Sequence, residues 1–414
     1  MVFGWFVGID WAADKYDVCV LDTRGKVHTK RVIKHSGTAI AELLDWLQEL
    51  AGGNPEAVAV AIETPRGAVV EGLVERGFAV FAINPKQLDR FRDRYTVAGA
   101  KDDSRDALVL GDSLRTDQAC FHRVQLASAQ MLRLRELSRL QEELQVQENR
   151  LSNQLWEQLH RYYPQMLNLS PGANEAWLWD LIEMAPLPIQ AGKLKLVAVK
   201  QLLGSYRIRR WSAEEVLETL RAPALRLAPG AAEAASEHVL LLLPLLRSVH
   251  QQGSQVGQRI ERMLTELSAS PGSEGQTSEH SDAAILLSLP GVGQSVSATM
   301  LAEATQPLAE RDYHALRCYA GIAPVTRQSG KRALVMMRYG CNPRLRNALY
   351  YWSLASLKDD WARQYYARQR ASGSSHGGAL RSLGDRWLAV LMAMLKTGTL
   401  YDPARRARQQ AQAS

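Results

Sequence analysis

Cysteine is scarce: there are four in 414 residues (Cys19, Cys120, Cys318, Cys341), with none of the paired spacing that a zinc site or a disulfide framework requires. Long apolar runs are missing as well. The longest, Val239 to Leu246, is eight residues and contains Pro244, whereas a membrane-spanning helix takes ~20, so no membrane partner is expected. The apolar N-terminus has no basic residues ahead of it to mark a signal peptide, and a cytoplasmic location follows as the expectation. No internal repeat is present. Acidic residues are outnumbered, 43 Asp and Glu against 50 Lys and Arg, and the net charge of +7 favours a polyanionic partner.

With 46% hydrophobic and 22% charged residues the chain can bury a sizeable core and divide into two or three domains. Val7 to Ile9, Asp17 to Leu21 and Val27 to Val32 read as three short strands, the last two joined by a turn at Asp22-Thr23-Arg24-Gly25. A helical pattern from Thr38 to Ala51 stops at Gly52-Gly53. Ala57 to Ile62 (AVAVAI) has the continuous apolar character of a strand covered on both faces, and it ends at Glu63. A helix over 67–76, a strand over 78–83 and a helix opening after Asn84-Pro85 follow. This β-β-β-α-β-α-β order is that of a ribonuclease-H-like domain, expected over 1–118. The fold class is α/β plus α. Residues 119–270 are expected to form a helical spacer with a coiled-coil seam of Leu137, Leu140, Leu144, Leu151, Leu155 and Leu159. A polar Ser- and Gly-rich linker at 271–282, a mostly helical domain at 283–400 and a basic tail at 401–414 complete the division.

The placement of acids suggests chemistry. Asp10 is expected just past the first strand and Glu63 just past the strand beside it, so their carboxylates converge at one sheet edge. Asp103 and Asp106, in the stretch KDDSRDA, share a helix face. Four carboxylates meeting there, each pair at ~5 Å and an effective dielectric of ~20, cost about 3 kcal/mol per pair. Two divalent cations would balance them, and an all-oxygen ligand set selects magnesium or manganese over zinc. The plain alternative is that Asp103 caps the helix and Asp106 faces its positive end; Asp14 and Asp102 read as solvent-facing or supporting. An ATP site of the sugar-kinase and actin type is disfavoured, because Asp10 is followed by Trp11-Ala12-Ala13 and not by a glycine-rich turn.

Toward the C-terminus, Leu289-Pro290-Gly291-Val292-Gly293 resembles a helix-hairpin-helix turn, in which Gly291 and Gly293 would let backbone N–H groups approach a DNA phosphate; a plain Gly-Pro turn is the alternative. Arg327-Gln328-Ser329-Gly330-Lys331-Arg332 places one serine among three cations, suited to phosphoryl transfer or simply to phosphate contact. Arg344 and Arg346, with Arg381 and Arg386, extend the basic surface, and Tyr350, Tyr351 and Trp352 are interleaved. Such aromatics are more often core than stacking platforms.

Taken in order, GID, AIET and KDDSRDA, then LPGVG, YAGIAP, RQSGK and CNPRLRNALYYW, resemble the DEDD transposases of bacterial insertion sequences, the IS-one-ten family that includes the Piv-type DNA invertases. The resemblance covers about residues 5–115 and 285–395. It implies a RuvC-like nuclease domain with Asp10, Glu63, Asp103 and Asp106 as the metal-binding acids, and Ser329 as the nucleophile that forms a phosphoserine link to DNA. It also implies DNA as partner and, in some members, a structured "bridge" RNA as guide. Asp102 stands where the family commonly has Thr. A homo-oligomer, dimer or tetramer, sharing its active site between subunits is expected, the leucine seam joining them. The competing readings are a Holliday-junction-type endonuclease with water as nucleophile, and a non-catalytic nucleic-acid scaffold.

Overall fold

The computed structural model describes residues 3–12, 14–94, 103–124, 128–269, 280–330 and 332–404. Lys101, Asp102 and Lys331 lie outside them, as do the side chain of Asp103, most of the expected linker and the last ten residues of the tail. The chain forms two compact units, 1–128 and 129–414.

The first unit is built on a six-stranded sheet. Strands β1 (Trp5–Trp11), β2 (Lys15–Asp22) and β3 (Val27–Lys34) form an antiparallel meander. Helix α1 (Gly37–Leu50) then leads to β4 (Val58–Ile62), α2 (Ala68–Glu75), β5 (Ala79–Ala82), α3 (Pro85–Arg92), α4 (Asp103–Asp117) and β6 (His122–Arg123). The order across the sheet is β3-β2-β1-β4-β5-β6, with β1, β4 and β5 parallel. Ser36 caps α1 by accepting from the Ala39 N–H, and Gly52 and Gly53 both take positive φ (60° and 83°) just past its end, a backbone region open to glycine.

Alternation sorts the strand residues between two covered faces. Val7, Ile9, Val18, Val20, Val58, Val60 and Ile62 pack on α1 and α2. Phe6, Cys19, Leu21, Ala59, Ala61 and Phe81 face Leu88 of α3 and Ala107, Leu110 and Leu114 of α4. Several residues on this second face are small, and one has to be. A Cβ on Gly8 would lie 1.8 Å from the Ala107 carbonyl oxygen, and one on Gly111 would lie 3.0 Å from the Gly8 nitrogen. The α4 and β1 backbones therefore touch where they cross, so the first turn of α4 is held beside the C-terminal end of β1. Lys30 of β3 helps by donating from Nζ to Ser104 Oγ at 3.1 Å.

Strand β1 runs two residues further than the sequence pattern suggests. Asp10 pairs with Asp17 and Trp11 with Tyr16, because the hairpin ladder continues past the last apolar residue. Asp10 is thus a strand residue, not one beyond the strand.

In the second unit, α5 (Ala129–Tyr162) and α11 (Ala231–Ala269) form a long antiparallel pair. Leu134 and Leu144 share a core with Val256, Ile260 and Met263 at one end, and Leu155 and Leu159 pack with Val239, Leu242 and Leu246 at the other. The expected seam is therefore filled from within the same chain: Leu144, Leu155 and Leu159 are buried here, while Leu140 stays 42% exposed. It is not the subunit-joining surface read from the spacing, which records a helical partner but not whose helix it is. Between the long helices, α6 (Gln165–Leu169), α7 (Ala176–Met184), α8 (Pro188–Ala191), α9 (Leu196–Ser205) and α10 (Ala213–Leu220) enclose the buried Tyr162, Tyr163, Trp177 and Trp179.

The remainder comprises α12 (Asp282–Leu287), α13 (Gln294–Glu303), α14 (Thr305–Ala309), α15 (Tyr313–Tyr319), a hairpin of β7 (Val325–Ser329) and β8 (Arg332–Met336), α16 (Pro343–Ala355), α17 (Asp360–Ala371) and α18 (His376–Thr397). Its core, centred on Trp352 and Trp387, is continuous with the near ends of α5 and α11. The spans 129–269 and 280–404 therefore share packing within one unit, while Phe121 and β6, expected in the spacer, belong to the core and sheet of the first.

The Gly8 crossing has a direct consequence. Gly8→Ala forces α4 off β1 or distorts both, and is expected to destabilise the protein by about 3 kcal/mol, the upper end for overpacking, in urea denaturation followed by circular dichroism. An unchanged midpoint would show that α4 is not held there.

Candidate active site

Asp10, Asp17 and Glu63 belong to one side of the sheet. Asp10 follows Phe6 and Gly8 in the alternation of β1, Asp17 is its cross-strand partner, and Glu63 continues the alternation of Ala59 and Ala61 at the adjoining end of β4. That is the side covered by α3 and α4. Asp10 is 8% exposed and Asp106 only 1%. Asp103 opens α4 one turn before Asp106. Strand register puts Asp10 and Glu63 on the face that α4 covers, and Asp106 lies on α4.

Two further charged residues are present that the sequence reading passed over. Asp17, directly opposite Asp10, receives Lys15 Nζ at 2.9 Å, which offsets the repulsion of like charges facing each other across a strand pair. More important is Arg92, the last residue of α3. Its Nε and Nη2 donate to the two carboxylate oxygens of Asp106 at 2.6 and 2.8 Å, and Nη1 pairs with Asp89. Burial pulls the Arg92 pKa down, but the hydrogen bonds and charge of Asp106, with the nearby charges of Asp89 and Glu63, raise it overall. Nothing in the local pattern marks this pair, because its members lie on different helices with other residues between them.

The donors are the right kind for a hard divalent ion: carboxylates only, two of them largely removed from water. Among the described residues, however, no three acids, histidines or cysteines are grouped closely enough to hold an ion. Asp106 faces a guanidinium instead.

Ser329 belongs to the second unit, as the last residue of β7, paired with Arg332 of β8. Gly330 takes φ 57°, which glycine adopts freely. Alternation places Arg327, Ser329 and Arg332 on one face of the hairpin, all exposed. The sequence reading had Ser329 on the turn; the ladder reaches it and gives its side chain a defined face.

The motifs on either side of the hairpin clamp its base. Asn342 N–H donates to the Tyr319 carbonyl at 2.7 Å, and Arg338 Nε donates to the Ala323 carbonyl at 3.2 Å. Gly321, at φ 70°, lies where a Cβ would meet Cys341 Sγ at 2.7 Å. Arg346 donates from Nη2 to the Arg338 carbonyl at 2.6 Å and also reaches Cys341 Sγ. Arg344 pairs with Glu142 and Glu143 of α5. Both arginines, read from the sequence as nucleic-acid contacts, are thus engaged within the protein. So is Gly291: at φ 79° it packs where a Cβ would lie 2.5 Å from the Ser356 nitrogen, and Trp352 Nε1 donates to the Pro290 carbonyl at 2.9 Å. That turn is required for α12 and α13 to dock on α16, while Gly293 is exposed and has open space around it.

One buried acid ties these pieces together. Glu303, at the end of α13, accepts from Arg139 Nε and Nη2 at 2.7 and 3.1 Å and from Asn342 Nδ2 at 2.9 Å, while Asn342 Oδ1 caps α16. Burial raises the Glu303 pKa, but the hydrogen bonds from Arg139 and Asn342 and the charges of Arg139 and Arg135 outweigh it, leaving the carboxyl below the usual glutamate range.

Comparison with known proteins shows the family. A transposase family model named for IS110 DEDD transposases matches residues 7–164, and that of the "Transposase IS116/IS110/IS902 family" matches residues 283–367. The "Mini-circle putative transposase for IS117" of Streptomyces coelicolor is 32% identical over 97% of this chain and 96% of its own length. The "Putative transposase y4uE" of Sinorhizobium fredii is 45% identical over 50% of this chain, which spans 58% of that protein. The "Insertion element IS110 uncharacterized 43.6 kDa protein" of Streptomyces coelicolor is 26% identical over 96% of each chain. The chain belongs to the IS110 family of DEDD transposases. Among the described residues no helix is long and apolar enough to cross a membrane.

The Glu303 arrangement makes a pH-dependent contribution. Its folded pKa is depressed, so the stabilisation is present above the ordinary glutamate value of ~4.3 and is lost as pH falls through the folded value. Arg139→Ala should cost about 3 kcal/mol at neutral pH by leaving a buried carboxylate unpaired. In Glu303→Gln, acid denaturation profiles should lose part of their slope below that pH; an unchanged slope would deny Glu303 this role.

Proposed function

We propose that the chain is a DNA transposase that cuts and rejoins strands by serine-mediated phosphoryl transfer, with the acids of a RuvC-like unit holding catalytic metal. The observation that carries this is that Asp10 and Glu63 lie at the same ends of neighbouring parallel strands, on the face covered by the helix that carries the buried Asp106, in a chain of this family. The strand order β3-β2-β1-β4-β5 supports the RuvC-like reading.

Asp10, Glu63, Asp103 and Asp106 would hold Mg2+ or Mn2+, which supplies polarisation of the phosphodiester and stabilises the entering and leaving oxygens. Ser329 provides the nucleophile. Its Oγ forms a bond to phosphorus, one bridging P–O bond of the DNA breaks, and the departing oxygen takes up the proton that the serine gives up, leaving a free hydroxyl and a phosphoserine. A hydroxyl of the recipient strand then attacks the phosphoserine, releasing Ser329. Arg327 and Arg332, on the serine's own face, orient the phosphate and offset its developing charge. Lys331 is assigned the same work from the sequence. Gly293, at the exposed start of α13, is the part of the LPGVG turn left to meet a phosphate. A structured guide RNA as second polyanionic partner rests on the family resemblance alone. An oligomer in which one subunit's serine serves another's acids rests on the lack of a His or Asp beside Ser329 in the sequence; the α5 leucines lend it no support.

Incubation with element-end DNA and Mg2+ is expected to give a protein-DNA adduct that survives denaturation, absent in Ser329→Ala and in Asp106→Asn, with recombination down roughly a thousandfold or more in each. Cleavage by Ser329→Ala at the wild-type rate without adduct would replace the serine with water as nucleophile. Mixing Asp10→Ala with Ser329→Ala protein should restore activity if subunits share the site, and no restoration would refute sharing.

A further inference from the structure

The acid at the centre of this site already has a cation. Asp106 is almost wholly out of water, and a carboxylate in that position requires a positive partner. Arg92 supplies it in the most demanding geometry available, two parallel N–H donors on the two oxygens of one carboxylate. Glu63, the neighbouring acid, adds its charge to the same guanidinium. Both Asp106 oxygens are taken by the guanidinium, so an ion that binds them directly competes with it. The arginine cannot yield by losing a proton, since a guanidinium stays charged in proteins. Making room for the ion therefore means moving the side chain. The structure provides a place to go: Nη1 is already paired with Asp89, one turn earlier on α3, whose side chain is 66% exposed.

We propose that Arg92 is a resident cation of the acidic site, holding Asp106 in a closed pair until a divalent ion displaces the guanidinium toward Asp89. Arg92 then sets the threshold for metal loading and keeps the buried acids neutralised while the site is idle. The inference rests on the reading of Asp10, Glu63 and Asp106 as metal ligands, and it assigns Arg92 a positioning role, not a catalytic one.

The test is Mn2+ binding to the full-length protein without DNA, read by the electron paramagnetic resonance signal of free Mn2+. Arg92→Gln removes the competitor and should bind Mn2+ roughly tenfold tighter than wild type, an ordinary coupling between sites. Arg92→Lys keeps the charge and should stay near wild type. The gain in Arg92→Gln should vanish in an Arg92→Gln, Asp106→Asn double variant. Thermal melts cover the case in which Arg92→Gln is unstable: it should melt below wild type in chelator and recover more than wild type does on adding Mn2+, because the metal takes over the missing charge. Equal or weaker Mn2+ binding by Arg92→Gln, with no extra rescue, would overturn the inference and leave the metal site standing. Absence of Mn2+ binding in all of these proteins would overturn both.

Discussion

A single close approach governs the N-terminal unit: the backbone of α4 lies directly on β1, with no side chain between them at Gly8 and Gly111. The crossing sets where α4, and with it Asp106, lies on the sheet face that also carries Asp10 and Glu63 by strand register. It also removes Asp106 from water, and the energetic demand of that burial requires a cation in the site under all conditions. In the structure the cation is Arg92; under the proposed function a divalent metal would take its place.

The second unit solves a different problem. A two-stranded hairpin is marginal by itself, and β7 and β8 are almost entirely exposed. What makes Ser329 a definable position is the bracket beneath it, formed by the Tyr319 and Ala323 carbonyls, Gly321, Cys341, Asn342 and Arg346. Glu303 then ties that bracket to α5 through Arg139. Several residues that stand out in the family's C-terminal motifs therefore act by holding the hairpin, while Arg327 and Arg332 remain on its exposed face.

The legible and illegible parts of the fold divide along physical lines. Strands β4 and β5, the end of α1 and the start of α3 could be read directly, since apolar runs, Asn84-Pro85 and paired glycines are local signals, whereas the Ser36 cap of α1 was not read. The seam in α5 was legible as periodicity, but periodicity carries no information on whether the partner helix is 100 residues downstream or on another subunit. Arg344, Arg346 and Gly291 looked like nucleic-acid contacts because basic residues and glycine turns near the surface have that composition. Their partners, Glu142, the Arg338 carbonyl and the Ser356 backbone, are tertiary and invisible to spacing. Arg92 was missed for the same reason. Gly8 did leave a trace, a glycine inside an otherwise apolar strand, which marks close backbone approach.

The proposed function requires that Asp10, Glu63 and Asp106 can come together around a divalent cation. It is tested most directly by an anomalous-difference map from crystals of the full-length protein grown with Mn2+. A peak bounded by the carboxylates of Asp10, Glu63 and Asp106, with the Arg92 guanidinium withdrawn from Asp106, is the expected result. Crystals diffracting well in saturating Mn2+, with Arg92 still bidentate on Asp106 and no peak at that edge, would contradict it.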